Sequence, residues 1–164
     1  MNRRLLMIAL VAAATAPSAV RADVTNGSAA PKVPVFAVRG ATEVTMLGPL
    51  APSLQGKPLV VRIHADWCPA CKATQPTIDN LRAAYGSQIN FVQFDVTNAK
   101  TAAAAQAEAQ KLGLEKFFDA EKAATSTVAV IDPRDGKVYA QLYNDGNIND
   151  YKVAVNGALG AVDK

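Results

Sequence analysis

The sequence predicts a single α/β domain in which a central mixed sheet of about four to five strands is flanked by helices on both faces. Short apolar runs alternate with longer segments of helical spacing, in the order strand, helix, strand, helix, strand, strand, helix. We expect the strands joined by helices to pair in parallel and the last two strands to form an antiparallel hairpin at one edge. The 164 residues of the chain are enough for one complete hydrophobic core.

The first half of this domain is predicted as a strand, a helix and a second strand. Residues 58–63 form an apolar run of strand length. Residues 73–85 have helical spacing, and the glycine that follows at position 86 is expected to end the helix. Residues 90–96 predict the second strand.

The middle of the domain is predicted to be helical. Residues 100–112 are rich in alanine and contain no helix breaker, and Gly113 is a typical stop signal. A further short helix over residues 115–124 would carry Phe117 and Phe118 into the core.

The last part of the domain is predicted as a hairpin followed by a closing helix. Residues 127–131 are β-branched and apolar, and the turn sequence at 133–136 leads into a returning strand at 137–143. Residues 147–162 predict the closing helix. Its expected cap is Asn147 or Asn149, and its expected buried stripe is Tyr151, Val155 and Leu159.

The start of the chain has the pattern of an export signal. Arg3 and Arg4 precede a short apolar stretch, and small residues at positions 20–22 offer a cleavage site. The apolar stretch is roughly 10 residues, well short of the ~20 that span a bilayer. We therefore expect a signal peptide at 1–22, a leader and irregular extension at 23–56, and the folded domain at 57–164, with a periplasmic or otherwise exported destination. An uncleaved anchor and a flexible tail are the alternatives for the first segment.

The net positive charge of the chain comes from this expected signal peptide. The full sequence has a formal charge of +3, and removing residues 1–22 leaves 14 basic and 14 acidic residues. A neutral mature protein has no general attraction to phosphate, so nucleic acid is not an expected partner. Stable membrane insertion after cleavage is not expected either.

Cys68 and Cys71 are placed where the first strand ends and the first helix begins. Their three-residue spacing puts both sulfurs on one face of the first helical turn. The unpaired N–H groups and the positive end of the helix dipole stabilise a thiolate there. We expect Cys68 to be the more exposed, nucleophilic sulfur, and Cys71, one turn deeper, to displace whatever Cys68 has bonded to.

The residues around this pair resemble the thioredoxin-like thiol–disulfide oxidoreductases. Trp67 directly precedes Cys68-Pro69-Ala70-Cys71, Lys72 follows it, and Pro76 lies five residues past Cys71. The resemblance implies a thioredoxin-like fold and exchange of a Cys68–Cys71 disulfide with protein thiols and disulfides. It also implies an upstream redox partner and no cofactor beyond that disulfide.

The residues flanking the cysteines are expected to shape their environment. Pro69 lacks an N–H and fixes φ in the first turn, and the dipeptide Pro69-Ala70 influences the redox potential in the family. We expect Trp67 to pack beside the sulfurs and form part of the docking face, although an ordinary half-buried aromatic is equally consistent with the sequence. Lys72 is expected to tune Cys68 electrostatically, or simply to be solvated.

Arg62 is a departure from the family pattern. Thioredoxin has a buried acid six residues before its first cysteine, and Arg62 stands at that position. A buried arginine needs an acidic or backbone partner, so we expect Arg62 to reach the sheet edge and pair, or that face to be more open than in thioredoxin. Proton transfer would then involve His64, water or the substrate, although His64 also suits a hydrogen-bonded packing role.

The segment Thr125, Ser126 and Thr127 is the second departure. In the family, a cis-proline lies opposite the sulfurs just before the corresponding strand, and here Ser126 or Thr127 takes its place. We expect a trans peptide there, because a non-proline cis bond costs about 3 kcal/mol. The segment is still expected to offer backbone groups to an extended substrate.

Two other functions are consistent with the cysteine pair. One is a copper or other soft-metal module that uses both thiolates with His64 or a second chain. The other is a non-catalytic binding domain with an inert disulfide. Reductase, oxidase and isomerase share the same parts, so the direction of electron flow stays open at this point.

Overall fold

The computed structural model describes residues 46–162. The expected signal peptide and most of the expected leader lie outside these residues, as do positions 163 and 164. Within residues 46–162 the chain forms four strands and four α-helices, together with 3-10 turns at Pro52–Leu54 and Gly86–Gln88. In chain order the elements are β1 (Leu59–His64), α1 (Pro69–Tyr85), β2 (Asn90–Asp95), α2 (Ala99–Leu112), α3 (Glu115–Glu121), β3 (Thr127–Asp132), β4 (Lys137–Tyr143) and α4 (Ile148–Val162).

The four strands form one mixed sheet in the order β2–β1–β3–β4, which confirms the predicted fold class. β1 and β2 are parallel, and β3 and β4 form the predicted antiparallel hairpin. The expected parallel pairing does not extend to β3, which is antiparallel to β1. Two helices, α2 and α3, join β2 to β3, and β3 starts beside the end of β1, where Val128 pairs with Arg62.

The two faces of the sheet are covered by different helices. α1 and α4 pack on one face and α2 and α3 on the other, because each strand alternates its side chains between the faces. Phe94 and Phe118 meet edge to face on the α2–α3 side, with their ring centroids 5.3 Å apart. Among the fully buried apolar side chains on the α1–α4 side are Ile78, Leu81 and Tyr151.

The helix ends follow the predicted signals. Asn98 caps α2 by accepting hydrogen bonds from the N–H groups of Lys100 and Thr101, and Gly113 ends it with a positive φ of 77°. At the start of α4, the Asn147 side chain accepts the N–H of Asn149 at 3.1 Å. Of the expected buried stripe of α4, Tyr151 and Val155 are buried and Leu159 is partly buried, while Ala154 and Ala158 are buried as well.

The segment just before β1 is part of the folded core. Leu50 and Leu54 are buried on the α2–α3 side, although residues 46–56 are irregular apart from one 3-10 turn. The Leu47 N–H donates to the carbonyl of Gly136 at 3.0 Å. A Cβ at position 136 would lie 2.1 Å from the carbonyl oxygen of Gly48, so only glycine allows this approach.

No helix within residues 46–162 combines the length and the apolar character needed to cross a lipid bilayer.

Candidate active site

Cys68 and Cys71 lie at the junction of β1 and α1. Cys68 is the N-cap residue of α1, and its Sγ accepts the backbone N–H of Cys71 at 3.1 Å. Pro69 is the first residue of the helix, where its missing N–H costs no helical hydrogen bond. The first turn of α1 therefore points its free N–H groups at the Cys68 sulfur.

The two sulfurs differ in their access to solvent. Cys68 is 3% exposed and Cys71 is fully buried. Both belong to a small apolar cluster with Ala65, against which Ala70 and Val96 pack. Cys68 is thus the sulfur that a substrate can reach, although it is less exposed than expected for a surface nucleophile.

The surroundings shift the pKa values of the two thiols in opposite directions. Burial raises the pKa of Cys68, but the polar groups of Cys71, Thr125 and Ala70 near the sulfur outweigh it, so the net pKa is lowered. Burial raises the pKa of Cys71, and its hydrogen bond to Cys68 raises it further, while the charge of Arg62 acts in the opposite direction. The anion is therefore favoured on Cys68 and the proton on Cys71.

Trp67, the residue before Cys68, presents an exposed aromatic surface. Its side chain is 60% exposed, and its Nε1–H donates to the carbonyl of Thr97 at 2.9 Å. This bond fixes the indole on the loop that follows β2. Lys72 is exposed on α1.

The segment Thr125, Ser126 and Thr127 lies opposite the cysteines, where the family pattern places it. The Thr125 side chain lies close enough to Cys68 to lower the pKa of its thiol, and no peptide bond within residues 46–162 is cis. Ser126 has a positive φ of 73°. Thr127 is fully buried, and its hydroxyl donates to the carbonyl of Ala124 at 2.7 Å.

The backbone groups of Ser126 are used inside the protein. Its N–H donates to the carbonyl of Ile63 at 2.9 Å, and its carbonyl accepts the N–H of Asn144 at 3.3 Å. Within the described residues, no hydrogen bond uses the N–H or the carbonyl of Thr125. The backbone groups open to a substrate are therefore those of Thr125.

Arg62 is fully buried on β1, behind the first turn of α1. Its Nη2 donates to the carbonyl of Cys71 at 2.7 Å, and its Nη1 donates to Oε1 of Gln75 at 2.7 Å. The expectation of an edge position or an open face is wrong, because these two acceptors hold the guanidinium inside the domain. Thr74 Oγ1 lies 3.5 Å from Nη2.

His64 is turned toward a carboxylate rather than toward the sulfurs. Its Nε2 lies 3.2 Å from Oδ1 of Asp66, and its Nδ1 is buried without a partner among residues 46–162. In the same part of the chain, no three His, Cys, Asp or Glu side chains are grouped so that they could hold a metal ion. A metal site made by Cys68, Cys71 and His64 of one chain is therefore not formed.

Residues 52–133, half of the chain, match the sequence model described as Thioredoxin. The chain belongs to the thioredoxin family. The matched residues contain both cysteines, Trp67 and the segment from Thr125 to Thr127, so the site described above lies within the family's own domain.

Curated relatives of this thioredoxin-family chain match about a third of it or less. A thiol:disulfide interchange protein TxlA homolog of Synechocystis is 42% identical over 53 residues, which cover 32% of this chain and 29% of that protein. The chloroplastic thioredoxin-like protein HCF164 of Arabidopsis thaliana is 40% identical over 45 residues, which cover 27% of this chain and 17% of that protein. The matched segments thus span less than a third of these relatives.

Solved structures of similar shape have lower sequence identity. A thioredoxin-family thiol:disulfide interchange protein from Chlorobium tepidum is 20% identical and has a TM-score of 0.46. The alignment covers 76% of this chain and all of that one.

Several contacts of this thioredoxin-family site were missed by the sequence reasoning. Gln75 and Thr74, which hold Arg62, lie four and three residues after Cys71 on α1, so helical spacing would have placed them on its face. Thr97, which anchors Trp67, lies on a different loop and had no local signal.

Proposed function

We propose that this protein is an exported thiol–disulfide oxidoreductase that exchanges its Cys68–Cys71 dithiol or disulfide with protein substrates. One observation carries the proposal: Cys68 is the N-cap of α1 and its Sγ accepts the N–H of Cys71 at 3.1 Å, so its pKa is lowered, while burial raises the pKa of Cys71 one turn deeper. The printed name of the Synechocystis relative, a thiol:disulfide interchange protein, supports the same activity.

The exchange needs only these two sulfurs and the substrate. The Cys68 thiolate attacks a substrate disulfide, forms a mixed disulfide and releases one substrate sulfur as a thiolate. Cys71 then loses its proton and attacks Cys68 Sγ, which closes the Cys68–Cys71 disulfide and releases the second substrate sulfur. Two electrons pass to the substrate, and the reverse sequence oxidises a substrate dithiol. An upstream redox partner must restore the starting state.

The substrate is proposed to bind near Cys68 through Trp67 and Thr125. The exposed indole offers an apolar contact, and the open N–H and carbonyl of Thr125 can pair with an extended peptide. Both lie next to Cys68, so a bound peptide would bring its disulfide to the sulfur.

Export is the part of this proposal that rests on the N-terminal sequence. Arg3, Arg4 and the short apolar stretch have the pattern of a cleaved signal. Fractionation of cells that express the full chain, with N-terminal sequencing of the recovered protein, tests this part. A mature protein that begins at Asp23 in an extracytoplasmic fraction supports export, and a full-length cytoplasmic protein contradicts it.

Two assays test the activity. Reduction of insulin by dithiothreitol and refolding of a reduced disulfide-containing client are measured with the wild-type protein and with Cys68→Ser. We expect the wild-type protein to accelerate insulin reduction, client refolding or both, and Cys68→Ser to lose this acceleration. Cys71→Ser should instead accumulate a mixed disulfide with the client on a non-reducing gel. A wild-type protein no faster than Cys68→Ser in both assays would overturn the proposal.

A further inference from the structure

The buried charge of Arg62 has no carboxylate partner within residues 46–162. Its guanidinium is fully buried, and its hydrogen bonds go to the Cys71 carbonyl, the Gln75 amide and the Thr74 hydroxyl. All of these acceptors are neutral. A buried cation is costly to a protein unless an anion forms near it.

The anion that forms near Arg62 during thiol–disulfide exchange is the thiolate of Cys71. The 2.7 Å hydrogen bond from Nη2 to the Cys71 carbonyl fixes the guanidinium on the backbone of that same residue. Burial opposes the ionisation of Cys71, and the charge of Arg62 favours it. In the mixed disulfide, Cys68 is no longer an anion, so the thiolate of Cys71 is then the negative charge that Arg62 meets.

We propose that Arg62 is a positioning residue that stabilises the Cys71 thiolate while Cys71 resolves the mixed disulfide. This inference rests on the proposed function. The proton of Cys71 passes to solvent water, and the electron pair of its sulfur forms the bond to Cys68 Sγ. The bond between Cys68 and the substrate sulfur breaks, and the substrate leaves as a thiolate. The fixed positive charge of Arg62 thus assists the deprotonation of Cys71. β1 has no buried acid that could accept this proton.

The other groups around Arg62 do not supply a competing charge. From α4, Tyr151 is kept neutral because burial raises its pKa, and its hydroxyl donates to the carbonyl of Asp145. The neighbours of Arg62 on the adjacent strands are Gln93 and Val128. On α1, the amide of Gln75 lies between Arg62 and the exposed Asp79, and on β1 the ring of His64 is paired with Asp66.

The test separates the two chemical steps with one reagent. Reduced protein is mixed in a stopped-flow instrument with one equivalent of dithiobis(nitrobenzoate), which releases one coloured thiolate when Cys68 attacks and a second when Cys71 resolves. For Arg62→Met we expect the second release to slow about tenfold near neutral pH, and its pH midpoint to move upward, since a tenfold change in thiolate fraction corresponds to one pKa unit. Arg62→Lys keeps the charge and should recover most of the rate.

Controls distinguish charge from structure. Arg82→Met removes a cation from the exposed end of α1, where Arg82 stacks on Phe91, and should leave both releases unchanged. Cys71→Ser should give the first release alone. Arg62→Met should fold, because an apolar replacement of a buried charge is often neutral or stabilising. If it does not fold, Arg62→Gln removes the charge while keeping a donor for the Cys71 carbonyl.

The outcomes are distinct. A folded neutral variant whose second release keeps the wild-type rate and pH midpoint overturns the role of Arg62. Equal slowing in Arg62→Lys and Arg62→Met also overturns it, because a purely structural role predicts that result. A wild-type protein that gives no second release contradicts the proposed function itself.

Discussion

The Thr125 hydroxyl lies near the nucleophile and lowers the pKa of Cys68, and Thr125→Val tests the importance of this polar contact. Valine has nearly the same shape as threonine but cannot donate a hydrogen bond. The other polar groups near the Cys68 sulfur belong to Cys71 and Ala70 and are untouched by the substitution. The expected result is a higher pKa for Cys68, and so less thiolate at neutral pH.

The size of the effect follows from the strength of such a polar contact. A hydrogen bond to a charged acceptor contributes about 1.5–3 kcal/mol. Because Thr125 is half-buried, water can replace part of the lost contact, and we take the lower end of this range. A change of about 1.4 kcal/mol is a factor of ten, so alkylation of Cys68 at neutral pH should slow by roughly tenfold.

The assay is the rate of iodoacetamide alkylation of the reduced protein as a function of pH, with the modified cysteine identified by mass spectrometry. Above the pKa of both proteins the two rates should converge, because the same thiolate then reacts. Thr125→Ser keeps the hydroxyl and serves as the matched control. An identical pH profile for Thr125→Val and wild type would refute the reasoning, as would a slower rate at all pH values.

Three further predictions concern the docking face, the β3 loop and a buried carboxyl. Trp67→Ala should lower kcat/KM for insulin roughly tenfold, because an aromatic side chain that contacts the substrate is lost. The rate with dithiobis(nitrobenzoate) should stay unchanged. Equal losses of rate with insulin and with this small reagent would contradict a docking role. Ser126→Pro should lower the free energy of unfolding in urea by about 3 kcal/mol or more, because proline cannot adopt the φ of 73° or donate a hydrogen bond to the carbonyl of Ile63. If Ser126→Pro lowers the free energy of unfolding less than Thr125→Pro does, the result counts against this prediction. Burial raises the pKa of Glu121, so its protonated form is favoured on folding and its contribution to stability is lost as pH rises through the folded pKa. Glu121→Gln should therefore melt at a higher temperature than wild type at neutral pH, with the difference disappearing in acid, and a pH-independent difference would contradict the assignment.

The elements of the fold were largely predictable because their signals are local. The apolar run before Cys68, the stop at Gly113 and the β-branched stretch of β3 each act through neighbours in the chain, and each element lies within a few residues of its predicted place. The direction of β3 relative to β1 was not predictable in this way. It depends on how α2 and α3 together return the chain, and their packing has no signature in a single stretch of sequence.

The site likewise combines features that the sequence predicts with contacts that only the folded structure shows. The sequence alone determined that Cys68 and Cys71 share the first turn of a helix behind a buried strand, because spacing and a helix start suffice for that. Only the tertiary structure decided that Thr125 lies near enough to lower the pKa of Cys68 and that Arg62 is held by Gln75 and the Cys71 carbonyl. These contacts join elements that are adjacent only after the sheet has formed and α1 has packed onto it, so their energies depend on distances that residue order does not set.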